Sequence, residues 1–172
     1  DPCLKGAICR NEMTCQIDIM KKVPWKRRGV QMTDTDMNNL SLYLEKNYGL
    51  TSDRVIAKAV DIVANNNSFH PIIDFLEGLT WDGTPRISHM LTHFFGAEDQ
   101  KYTGEIMKMH MMAAISRLYE PGTKYDIMLC LVGGQGTGKS TFFKYLAIKD
   151  EWFTDDMKRL DDKKVYEYLQ GH

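Results

Sequence analysis

The sequence predicts an α/β protein: a mostly helical N-terminal module with a small β-hairpin over residues 1–120, then the opening of a parallel α/β core over residues 121–172. Three observations predict it. Apolar residues alternate with polar ones near the start, at Ala7 to Arg10 and Cys15 to Ile19. A helical period then repeats through several capped segments up to Tyr119. Last, an apolar strand-like run, Ile127 to Val132, leads through a glycine-rich loop into the helix-like Thr141 to Ala147.

In chain order, the alternation around Asn11-Glu12-Met13-Thr14 is a hairpin signal. A loop marked by Pro24 and Gly29 follows, with Lys21, Lys22, Lys26, Arg27 and Arg28 around Trp25. Thr33 with Asp36 three residues on is N-cap chemistry for a helix with Met37, Leu40, Leu44 and Tyr48 on one stripe, closed by Gly49. After Thr51-Ser52 a second helix places Val55, Ile56, Ala59, Val60 and Val63 on one face and ends at Asn65-Asn66-Asn67. A short helix follows Pro71 and stops near Gly78. Trp81 is expected as a core anchor, Asp82-Gly83 as a turn, and Thr84-Pro85 as the cap of a helix running to about Phe95. The longest helix, Tyr102 to Tyr119, carries Ile106, His110, Ala113, Ala114, Arg117 and Leu118 near one face, with Met107, Met109, Met111 and Met112 as packing residues. Glu120-Pro121-Gly122 breaks it and marks the boundary between the two parts. Trp152-Phe153-Thr154 reads as a second short strand and Asp161 to Gln170 as a last helix.

Lys and Arg number 22 against 23 Asp and Glu, a formal net charge of -1. Such a balance disfavours coating nucleic acid by bulk charge and leaves room for a local basic patch. No run approaches the roughly 20 apolar residues of a membrane span, and the polar N-terminus is no signal peptide, so a cytoplasmic protein without a membrane partner is expected. Cys3, Cys9 and Cys15 are equally spaced, but zinc knuckles use shorter gaps and no histidine lies nearby. Reduced thiols are the expectation, with a Cys9–Cys15 bridge geometrically conceivable; Cys130 reads as a small core residue.

The loop Gly133-Gly134-Gln135-Gly136-Thr137-Gly138-Lys139-Ser140 fits G-x-x-x-x-G-K-[ST] at every fixed position, in the strand–loop–helix setting the pattern requires. Glycine N–H groups and the helix start make an anion cradle, extended to Thr141. Lys139 is expected on the β/γ-phosphates of ATP and the Ser140 hydroxyl on Mg²⁺. Hydrolysis also needs an acidic residue at the end of an apolar strand. Asp155-Asp156 after Trp152-Phe153 is a weak candidate, and the sheet read from the sequence is too small to close, so the chain reads as a truncated core. The catalytic residues are therefore unknown from these residues alone.

These motifs together resemble the virulence-associated E family, P-loop proteins of phages and genomic islands related to superfamily 3 and poxvirus-type primase–helicases. The resemblance rests on Asp1-Pro2-Cys3-Leu4-Lys5-Gly6 with Asn11-Glu12, on Thr33 to Asp36 with Tyr43-Leu44, and on Phe69-His70-Pro71. It continues through Phe75 to Arg86, Arg117, Pro121 to Asp126, the glycine-rich loop, Trp152-Phe153 and Leu169-Gln170-Gly171. The Leu-x-Trp-Asp-Gly-x-Pro-Arg run, Leu79 to Arg86, is its most specific part outside the loop. The resemblance implies an AAA+-like core whose metal-binding acid follows His172. It also implies an ATP-driven, ring-forming homo-oligomer that acts on single-stranded DNA in replication of a mobile element. The basic loop of Lys21, Lys22, Trp25, Lys26, Arg27 and Arg28 has the cations and the aromatic face of a single-strand contact, against a solvated loop with Trp25 turned inward. A non-catalytic DNA- or partner-binding module is the alternative. A small-molecule kinase is disfavoured by the large helical part ahead of the loop and the lack of an arginine-rich lid after it.

Overall fold

The computed structural model describes residues 1–154. They form six α-helices and one two-stranded sheet, divided into two compact units that meet in sequence at Asp74–Phe75. The Asp155-Asp156 pair, the helix expected at Asp161 to Gln170 and the Leu169-Gln170-Gly171 match lie outside the described residues.

In the first unit, β1 (Ile8–Asn11) and β2 (Gln16–Ile19) pair antiparallel with Ile8 opposite Ile19 and Cys9 opposite Asp18. Both free edges are covered, which removes the liability of an open strand. On the β1 side Phe69 N–H donates to the Arg10 carbonyl and Glu12 N–H to the Phe69 carbonyl. On the β2 side the chain at 30–32 exchanges bonds with Ile17 and Ile19. Helix α1 (Asp34–Tyr48) opens with the expected capping box of Thr33 and Asp36 and closes on Gly49 in the left-handed region, φ 68°. Helix α2 is Asp53–Asn66. Ile8, Leu40, Ile56, Val60 and Ala64 form the core between hairpin and helices, and Ala7, Ile19 and Val23 a smaller one. Trp25 and Met32 pack against both. The buried face of α2 is rotated from the sequence expectation: Ile56, Val60 and Ala64 are inside, whereas Val55, Ala59 and Val63 are exposed.

Helix α3 (Pro71–Glu77) spans the division between units. In the second unit the helix expected from Thr84 begins late. The Asp82 carboxylate takes the Thr84 N–H at 3.0 Å and holds Arg86, so a 3-10 turn forms only at Ile87–His89, followed by α4 (Met90–Phe95). Helix α5 (Lys101–Tyr119) buries Gly104 and Met107, a stripe shifted from the one centred on Ile106. The reason lies at Gly104: a Cβ there would stand 3.0 Å from the Ser88 carbonyl, and only glycine lets the 3-10 turn approach so closely. Leu91, Met107 and Phe142 form this unit's core, joined by Phe95, Met111, Leu129 and Leu131.

Four expectations fail here. The run Ile127–Val132 has no ladder partner among the described residues, so it is not a β-strand; a strand is stable only beside a neighbour. Its alternation survives, with Leu129 and Leu131 inward, and this turns Cys130 outward rather than into the core. Trp152 is buried at the end of a second 3-10 turn, Asp150–Trp152, not in a strand; it packs edge-on against Phe75 and under the Lys149 ammonium. Trp81, expected as a core anchor, is 77% exposed.

Candidate phosphate site

The glycine-rich loop owes its shape to two backbone positions. Gly136 and Gly138 sit at φ 83° and 79°, a region that side chains disfavour, although nothing lies within 4 Å of where a Cβ would be. The constraint is backbone torsion, not crowding. Gly138 is the N-cap of α6 (Lys139–Leu146), and the first bond of that helix runs from Phe142 N–H to the Gly138 carbonyl at 2.9 Å. The N–H groups of Lys139, Ser140 and Thr141 are thus the orphan donors of the helix start, and no side chain caps them. Phe142 anchors the helix from behind: it is buried against Leu91 and Met107 and meets the Phe95 ring edge-on at 5.0 Å.

Lys139 curls back over its own loop. Its Nζ donates to the carbonyls of Gly133 at 3.0 Å and Gly134 at 2.7 Å and to the Thr137 hydroxyl at 2.9 Å. All three ammonium protons therefore have acceptors, and Thr137 also donates to the Gly134 carbonyl at 3.0 Å. At the next position of α6 the exposed Ser140 hydroxyl makes no hydrogen bond among the described residues. One cation, three backbone donors unused among the described residues and the positive end of α6 thus follow one another along the chain. An anion fits such a set, and the Ser140 hydroxyl is an oxygen of the kind a hard cation such as Mg²⁺ could take. Gln135, between the glycines, is exposed. Among the described residues no group of three or more His, Cys, Asp or Glu side chains is placed to hold a metal.

The basic loop divides into two classes. Arg27 is a structural clamp: its guanidinium donates to the carbonyls of Ile19, Gly29, Val30 and Gln31 and to the Asp36 carboxylate. Trp25 is turned inward, its indole N–H donating to Asp36 at 2.9 Å. Lys21 reaches the Lys5 carbonyl at 2.9 Å. Lys22, Lys26 and Arg28 stay exposed with no ion pair among the described residues.

The remaining candidates separate in the same way. Arg117 donates to the carbonyls of Thr123 and Tyr125, both at 3.1 Å, and fastens the loop after α5. His110 keeps a buried Nδ1 without a partner among the described residues, its ring edge-on to Phe143. Cys3, Cys9, Cys15 and Cys130 are free thiols, and Cys15 closes the hairpin turn ahead of β2 at φ 56°. Burial pushes the Cys9 thiol above its ordinary value, with Lys21 opposing and Asp18 adding. Sequence reasoning missed the Asp82–Arg86 fork, 2.9 and 2.5 Å: the pair stands four residues apart but outside any helix, where that spacing does not bring side chains together by itself. The fork, above all, holds the Asp82 carboxyl well below the usual carboxylate range.

No helix among the described residues is long and apolar enough to cross a membrane. No curated protein matches the sequence. The family model of the virulence-associated protein E-like domain matches residues 76–172, a stretch that includes the glycine-rich loop and more than half of the chain. The chain belongs to the virulence-associated protein E-like family.

Proposed function

We propose that Gly133 to Ser140, with Thr141, bind the phosphates of ATP together with Mg²⁺. The protein then acts as a DNA-dependent ATPase of helicase type in replication of a phage or other mobile element. One observation carries the reading: Lys139 is ringed by its own loop beside three uncapped helix N–H groups. Polyphosphate oxygens would replace the Gly133 and Gly134 carbonyls on the ammonium, exchanging neutral acceptors for charged ones, which make stronger bonds. The N–H groups of α6 would hold a second face of the same phosphates, and the Ser140 hydroxyl would ligate Mg²⁺, which spreads the developing charge. The family match supports the link to mobile elements, and the motif supports the nucleotide.

Calorimetry with Mg²⁺–ATP is expected to give binding weaker than micromolar that Lys139→Ala sharply reduces; equal binding by the variant would sink the proposal. ATP turnover is expected to rise with single-stranded DNA, and no response to any DNA or RNA would count against the helicase part.

The cations Lys22, Lys26 and Arg28, exposed and without an ion pair among the described residues, favour a DNA-binding role for the first unit even without turnover. Replacing all three with glutamine is expected to weaken single-strand binding and to reduce its salt slope by roughly 2 to 3. An unchanged slope would remove this surface from consideration.

A further inference from the structure

The second unit carries a cleft of 870 Å³, within the range of about 300–1,000 Å³ typical of small-ligand sites. Trp81 stands at it with 77% of its surface exposed, the largest apolar side chain of the unit left in water. One wall is a single stripe of α5, Lys101, Gly104, Glu105 and Lys108, at helical spacings of three and four. The opposite wall is the 3-10 turn with Ser88, brought close because Gly104 has no side chain. Arg86 is fixed at the rim by its fork to Asp82, so its position is set in advance. Lys101, Glu105 and Lys108 have no ion pair among the described residues.

The charges decide what fits. Arg86, Lys101 and Lys108 are balanced by Asp82, Asp99 and Glu105, so the cleft is no run of cations for a polyanion. What it offers is an exposed π-face with separate donors and an acceptor around it. A flat heteroaromatic ring with mixed polar edges matches that set: stacking on Trp81, with Glu105 accepting and Lys108 donating at its rim.

We infer that the cleft between Trp81 and the Lys101–Lys108 stripe binds a nucleobase, from a free nucleoside or from single-stranded DNA, independently of the phosphate loop. The test uses the full chain carrying Lys139→Ala, in EDTA, so that the loop contributes nothing, with adenosine and a twelve-residue oligodeoxyadenylate as probes. Trp25 is tied to Asp36 and Trp152 is buried, so tryptophan fluorescence should be quenched through Trp81. Trp81→Ala, at an exposed position, should keep the thermal melt and lose at least tenfold in affinity by calorimetry, while Trp81→Phe should retain most of it. Quenching by adenosine assigns the base to a small ligand; quenching by the oligomer alone assigns it to a strand; either supports the inference. No binding of either probe at millimolar concentration, or binding that Trp81→Ala leaves unchanged, overturns it.

Discussion

Asp36 joins three pieces of the first unit through one carboxylate. It accepts the Trp25 indole N–H at 2.9 Å, the Arg27 Nε–H at 3.4 Å, and the Thr33 N–H and hydroxyl at 3.0 and 2.8 Å. Burial alone would raise its pKa, but the bonds from Trp25 and Thr33 and the charge of Arg27 together outweigh it, so the folded value lies below the ordinary one. A group depressed in the folded state stabilises above its unfolded pKa, about 3.9, and that stabilisation is lost as pH falls through the folded value. Urea unfolding of wild type and Asp36→Asn should thus differ by about 1–3 kcal/mol at pH 7, and the gap should close as pH drops below about 4. A gap independent of pH would show that the charge is not what matters at this position. Leu40, 1% exposed, supplies the apolar counterpart on the same helix. Leu40→Ala should cost about 2–5 kcal/mol at every pH, which separates a packing loss from a titrating one.

Among the elements, α5 tests how far local rules reach. Alanine is a better helix former than glycine by about 1 kcal/mol, so propensity alone would make Gly104→Ala stabilising. The added Cβ would stand 3.0 Å from the Ser88 carbonyl, a backbone atom with little freedom to yield. Overpacking of about 1–3 kcal/mol should win, and chemical denaturation is expected to show a net loss of stability; a net gain would mean that the 3-10 turn yields freely. Helix ends were legible at α1, where Thr33, Asp36 and Gly49 state them chemically, but not at Thr84-Pro85, where the Asp82 carboxylate takes the Thr84 N–H and the helix starts late. The hairpin was legible because alternation has a period of two. What escaped depended on partners distant in sequence: which side of α2 faces the hairpin, and whether Ile127–Val132 has a neighbouring strand. Trp81 failed for a related reason, since composition says that tryptophan is usually covered and only packing says by what. At the phosphate loop the spacing named the residues, while the inward curl of Lys139 onto Gly133 and Gly134 is a matter of coordinates.

Over the whole chain, each hydrophobic core is built from residues of one unit. Leu4 to Ala64 supply the cores of the first, and Met90 to Leu146 that of the second. The candidate phosphate loop belongs wholly to the second unit, where Phe142 ties α6 to Leu91 and Met107. A ligand bound only by the folded loop therefore stabilises that core by mass action, by about 2.7 kcal/mol when present at a hundred times its dissociation constant. The first unit's core contains no residue of the loop or of α6 and has no such linkage. Calorimetric melting with increasing Mg²⁺–ATP should accordingly move the transition of the second unit upward and leave that of the first in place. In Lys139→Ala combined with Trp81→Ala neither should move. Leu40→Ala should do the reverse, lowering the first transition while the ligand-dependent shift of the second persists. A ligand shift common to both transitions would mean that the two units melt as one, and a shift that Lys139→Ala leaves undiminished would move the nucleotide away from the loop.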